Sequence, residues 1–212
     1  RRQRQMCIRD SNNALVPWQY EQLEKKRMKE MGNHLFLIYI FVGGCALLFS
    51  ACAPEIIKIL ADSKYYEAVY VIPPVAISMF FTFAYTSFAN IEFFFDANKF
   101  TMFISMAGAL LNIVLNYFGI LWFGYIAAAY TTLVCYVIFS ISHYVYMCHC
   151  IKKMSDTEEI FGTARLIFLM ILVLAGGILV ISLYDRPFLR YVLIIAVCFI
   201  AVSYTHLRAH ET

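Results

Sequence analysis

The chain has 212 residues, 62% apolar and 17% aromatic, with a mean hydropathy of +0.69, and only 15% of them are charged. Soluble domains carry about 25% charged residues, and here the deficit is concentrated: no Asp, Glu, Lys or Arg occurs at 35–53, 68–91, 100–151 or 166–184. A spanning helix needs roughly 20 apolar residues and a charge at mid-bilayer costs about 2.5–3.5 kcal/mol on insertion scales, so these four windows exclude a soluble globular fold and predict an all-α, polytopic transmembrane helix bundle of five to six spans.

The two ends stand apart from this pattern. Residues 1–11 (RRQRQMCIRDS) and 203–212 (SYTHLRAHET) have no apolar period, no cap and no signal-peptide pattern. Both resemble translated sequencing adapter, so they are expected to be non-native ends of a fragment. Without Arg1, Arg2, Arg4, Arg9, Asp10, Arg208 and Glu211, the body balances at twelve basic and twelve acidic residues. The formal charge of +3 therefore gives no argument for nucleic acid or an anionic partner.

Residues 12–33 read as a polar, helical cytoplasmic link, with Pro17 near its start and Lys25, Lys26, Arg27 and Lys29 clustered. The first span is expected at 34–53, stopped by Pro54, which cannot donate to a continuing helix. Residues 54–68 mix Ile56, Ile57, Ile59 and Leu60 with Glu55, Lys58, Asp62 and Lys64. That pattern predicts an interfacial turn or short amphipathic helix, and Tyr65, Tyr66 and Tyr70 suit a headgroup belt. The second span is expected at 69–91, followed by a charged link with Glu92, Asp96 and Lys99. The uncharged stretch 100–151 is too long for one helix across about 30 Å. A turn between Gly119 and Gly124 divides it into spans at 100–120 and 123–147. The loop at 152–162 offers Ser155 and Glu158 as a capping box. Spans five and six are expected at 166–184 and 188–202, the whole bundle running from 34 to 202. Lys and Arg number eight in the segments on the N-terminal side of the membrane against four on the other. This bias places the N-terminal segment in the cytoplasm.

Polar residues inside the spans fall on stripes. Ser105, Gly108, Asn112, Asn116 and Gly119 recur every three or four residues on span three. Span four carries Ala128, Thr131 or Thr132, Cys135 and Ser142, with His143 beside them, and span two offers Ser78, Thr82, Thr86 and Asn90. Small and amide residues are what close helix contact in lipid requires, so packing accounts for these stripes. The alternative is that they line a polar cavity, with Asn112 and Asn116 foremost because buried amides are costly unless satisfied. Glu92 reads either as part of a solvated loop or as a cavity-mouth or cation-coupling carboxylate.

Cys45, Cys52, Cys135 and Cys198 lie in apolar helices as small hydrophobes. Cys148-His149-Cys150 does not have the spacing of a zinc site. No nucleophile elbow, zinc-protease, Walker or dinucleotide-binding motif is present. The sequence thus points to a non-enzyme with no cofactor and no metal.

The body resembles a family. Asn13-Ala-Leu-Val-Pro17-Trp-Gln-Tyr20 followed by a basic helix, Pro54-Glu-Ile-Ile-Lys-Ile-Leu60 with Tyr65, Tyr66 and Ala68, and Lys99 in the next short loop resemble bacterial polysaccharide exporters. So do Leu111-Asn112-Ile-Val-Leu-Asn116 and Gly124-Tyr-Ile-Ala-Ala-Ala129-Tyr-Thr131-Thr132. The resemblance runs in order from Asn12 to at least Tyr146, with Ala127 where the family usually has a second glycine. The family is that of the O-antigen and polysaccharide flippases, in the multidrug/oligosaccharidyl-lipid/polysaccharide exporter superfamily. It implies the C-terminal half of a two-lobed exporter in the bacterial cytoplasmic (inner) membrane, completed by an N-terminal half. The implied activity is flipping of lipid-linked oligosaccharide by alternating access, with membrane lipids around it. Asn112, Asn116, Asn90, Thr131, Thr132 and Glu92 become the substrate-cavity candidates. Because the charge-free windows hold no Lys or Arg, the phosphate-binding cations are expected mainly in the other lobe. A drug/cation antiporter or peptidoglycan-precursor flippase of the same superfamily is the alternative, and the lack of an Asp or Glu within the spans speaks against cation coupling. A membrane-embedded polymerase or acyltransferase would have His143 alone to work with. A non-transporting partner of a glycan assembly complex is a further option.

Overall fold

The computed structural model describes residues 15–152, 160 and 162–196. The end segments 1–11 and 203–212, the Ser155–Glu158 capping pair and the last part of the expected sixth span lie outside the described residues. Helix α1 covers 15–24 and is followed by α2 (Met28–Ala51), α3 (Ala53–Leu60), a 3-10 helix (Ser63–Tyr70), α4 (Ile72–Phe94), α5 (Asn98–Phe123), α6 (Ala127–Lys152), α7 (Thr163–Ser182) and α8 (Pro187–Ala196). Helices α2, α4 with the 3-10 turn before it, α5, α6 and α7 are long and apolar enough to cross a membrane. At 1.5 Å per residue even the shortest, α7, extends about 30 Å, the hydrocarbon thickness of a bilayer. The chain is a multi-pass membrane protein built as an all-α bundle, with no strand among the described residues.

Local chemistry sets the helix ends. Helix α2 closes at Ala51, and Pro54 is the second residue of α3 rather than the stop itself. There its missing N–H costs nothing, and Pro73 and Pro74 occupy the same place in α4. Gly119 is not in a turn. Helix α5 continues to Phe123, and Gly124 ends it at φ +78°, a conformation that glycine adopts without strain. Between α2 and α4, α3 presents Ile59 and Leu60 outward beside exposed Tyr65, Tyr66 and Tyr70, the amphipathic interfacial element that the sequence suggests.

Helix α4 is central and packs on α2, α6 and α7. Its Phe80, Phe81, Phe88 and Ile91 meet Leu35 and Tyr39 of α2, Met147 of α6, and Leu166 and Val173 of α7. Lipid tails are as apolar as these side chains, so burial alone gives little drive, and close packing with internal hydrogen bonds must hold the bundle. The Tyr39 ring accordingly meets Phe80, Phe83 and Phe88 edge-on, with centroids 6.5, 5.7 and 6.1 Å away. The hydroxyls of Ser78, Thr82 and Thr86 donate to carbonyls four residues back in their own helix, which satisfies that stripe internally. Helix α1 folds onto the bundle, with Leu23 fully buried and Trp18 against the core.

Helix α5 stands apart. It lies along α6, touches α4 only slightly, and buries just Thr101 and Gly119. Phe103, Met106, Leu110, Ile113, Tyr117 and Leu121 are all exposed on it. The bundle has two ends: α1 and the α4–α5 turn lie at one, where Tyr20 meets Phe94. The α5–α6 and α7–α8 turns lie at the other, where Tyr130 donates to the Tyr70 carbonyl and Tyr70 meets Tyr184.

Candidate functional site

The two asparagines of span three and one threonine of span four come together. Asn116 Nδ2 donates to Asn112 Oδ1 at 2.8 Å, and Thr131 Oγ1 donates to Asn116 Oδ1 at 2.6 Å. The backbones must approach closely for this: a Cβ on Gly119 would lie 2.8 Å from Thr131 Cγ2. The Thr132 hydroxyl donates within its own helix to Ala128 O at 2.7 Å. Thr132 and Asn112 both line a groove of about 480 Å³ between α4, α5 and α6, together with Ser105, Gly108, Tyr85 and Phe139. The Phe139 ring sits over Gly108 so closely that a Cβ there would be 2.0 Å from it.

Asn90 is elsewhere. Its Nδ2 donates to Gln19 Oε1 of α1 at 3.3 Å, while Gln19 Nε2 reaches the Ser87 carbonyl at 3.4 Å and Ser87 Oγ pairs with the Tyr39 hydroxyl. These bonds fasten α1 to α4 and α2, and Asn90 does not reach the groove.

The structure corrects the reading of Glu92 as part of a solvated loop. Helix α4 runs past it to Phe94, and its side chain is completely buried. His143 Nδ1 lies 3.0 and 2.9 Å from the two carboxylate oxygens, and Thr101 Oγ1 of α5 donates to Oε2 at 3.0 Å. Aromatic rings enclose the imidazole: Tyr85 stacks on it at 5.6 Å, Phe139 lies at 6.3 Å, and Phe100 approaches edge-on at 6.2 Å. His143 Nε2 and Ser140 Oγ are buried without a hydrogen-bond partner. An acidic residue is therefore buried within a long apolar helix after all, so its lack no longer speaks against cation coupling.

A second polar cluster lies at the opposite end. Arg190 of α8, nearly fully buried, pairs with Glu55 of α3, and the Tyr191 hydroxyl donates to the same carboxylate at 2.7 Å. Burial pulls the Glu55 carboxyl upward, but the Tyr191 hydroxyl and Arg190 outweigh it and hold the group below the ordinary carboxylate range. No three His, Cys, Asp or Glu side chains converge on a metal-sized site among the described residues.

Sequence reasoning missed the roles of Thr101, Gln19 and Arg190, and it set His143 beside the polar stripe of span four or gave it to a hypothetical enzyme without linking it to Glu92. No family model, no curated protein and no solved structure matches this chain.

Proposed function

We propose that this chain forms one lobe of a flippase that carries lipid-linked oligosaccharide across the bacterial cytoplasmic membrane for polysaccharide or O-antigen export. The observation that supports it most is helix α5. It buries only two residues, yet carries Asn112 and Asn116, which bond to Thr131 of α6, and one wall of a groove of about 480 Å³. An amide- and hydroxyl-bearing groove outside the main core suits sugar hydroxyls, which need donors and acceptors in a setting with little water. The exposed apolar residues of α5 would run beside the lipid tail. A facing second lobe would close the cavity and supply cations for the diphosphate. A cation-coupled exporter of the same superfamily is the second reading, favoured by the buried Glu92 carboxylate.

Deleting the gene that carries this segment should remove a surface polysaccharide and accumulate its lipid-linked precursor. Returning it as the Asn112→Leu/Asn116→Leu variant should leave surface glycan at least tenfold below wild type at equal membrane abundance. Unchanged surface glycan after deletion would end this reading.

A further inference from the structure

The Glu92–His143 pair is buried, and its geometry leaves one valence open. A carboxylate can only accept, and a carboxyl can only donate to a bare ring nitrogen, so in either form one proton lies between His143 Nδ1 and the Glu92 oxygens. The other ring nitrogen, Nε2, is buried and has no partner. With Nε2 bare the pair has a net charge of −1, inside an aromatic enclosure where a net charge is costly.

Among the described residues, the neighbouring elements supply no cation to offset it. Helix α4 contributes Glu92 and the Tyr85 ring, α5 contributes Thr101, and α6 contributes His143 and Tyr146, with Cys150 near that tyrosine. Asp96 in the α4–α5 turn and Lys99 at the start of α5 are exposed, and no Lys or Arg pairs with Glu92 among the described residues. A proton delivered to Nε2 makes the pair neutral.

We propose that Glu92 and His143 form a buried proton-binding site, loaded and unloaded at His143 Nε2. Tyr85 and Phe139 separate the imidazole from the groove, since both line the groove and both lie against the ring. A hydronium that reaches Nε2 gives up its proton there and leaves as water, and the reverse step returns it. Thr101 is one of only two buried residues on α5, and its hydroxyl donates to Glu92 Oε2. Loading the site weakens that charge-assisted bond, so α5 registers whether the proton is present.

The test is histidine-selective ¹⁵N/¹³C NMR on the whole chain in lipid nanodiscs between pH 4.5 and 9, with no glycan added and His143→Gln identifying the signal. His143 should be singly protonated at high pH and gain a proton as pH falls. Glu92→Gln should move the midpoint down by at least one pH unit, a tenfold loss of proton affinity. Thr101→Val, which removes a donor from the carboxylate, should move it up. Opposite shifts are not what loss of packing would produce. A His143 signal that does not titrate, or two variants that shift the same way, overturns the proposal. If Glu92→Gln does not fold, wild type and Thr101→Val decide it. The titration is independent of the flippase reading, which stands or falls on surface glycan.

Discussion

Asn116 joins two helices with one side chain: its amide nitrogen serves Asn112 one turn back, and its oxygen receives Thr131 across the seam. Hydrogen bonds between transmembrane helices are worth about 0.6 kcal/mol on average and up to about 1.7 kcal/mol, because the separated helices find other partners in the membrane. A double-mutant cycle of Asn116→Ala and Thr131→Val, read from unfolding in mixed micelles, should return a coupling energy within that range. A coupling of zero would mean that the bond contributes nothing and that packing alone holds the seam. Asn90 has the same side-chain chemistry but a different task, since its partner Gln19 belongs to α1. Spacing along one helix could not separate the two cases, because Asn90 and Asn116 each sit on a polar stripe. What separates them is the neighbouring helix, which sequence spacing does not specify.

For the elements, the long charge-free windows and the prolines were legible: five of the six expected spans overlap long apolar helices, with ends displaced by up to six residues, and only the start of the sixth lies among the described residues. The turn was misplaced because Gly119 and Gly124 look alike in sequence. Only Gly124 has a positive φ, whereas Gly119 gives α6 room to approach. Gly119→Ala should therefore force Thr131 aside and cost about 1–3 kcal/mol, as overpacking does, while α5 remains helical by circular dichroism. An unchanged unfolding midpoint would show that the seam yields freely. Glu92 was misread for a related reason. Its place just past the end of a charge-free window reads as outside, but its partner His143 lies 51 positions away on α6 and draws it in. The contact between α3 and α8 gives a prediction with a sign. The Glu55 carboxyl is held below its ordinary value of about 4.3, so its pairing stabilises at pH above that value and is lost as pH falls through the lower, folded value. Removing Glu55 leaves Arg190 buried; a fully buried pair broken this way costs about 3–5 kcal/mol, and the 35% exposure of Glu55 lowers that to about 2 kcal/mol. Glu55→Gln should abolish the acid-induced loss of hydrogen-exchange protection in α8, and persistence of that loss would assign it to another group.

For the whole molecule, the two ends of the bundle differ in how their cations are employed. At the α1 end, Lys25, Lys26, Arg27, Lys29, Lys99, Lys152 and Arg165 gather near the helix termini, and Lys25 and Arg27 form only exposed pairs on α1 and α2. At the other end, Lys58, Lys64 and Arg186 remain, while Arg190 is neutralised by Glu55 and withdrawn from solvent. Orientation responds to Lys and Arg near span ends, so the fold leaves the α1 end even more dominant than a plain count suggests. That end should face the cytoplasm, which would place the Glu92–His143 pair nearer the cytoplasmic than the outer surface. Single cysteines at Lys26 and Lys64, in a variant with the native cysteines replaced, test this directly. In intact cells a membrane-impermeant maleimide should label Lys64→Cys at once and Lys26→Cys only after permeabilisation. The reverse pattern would invert the topology and turn the proton site toward the outer face. Its pH response would then follow the external medium rather than the cytoplasm.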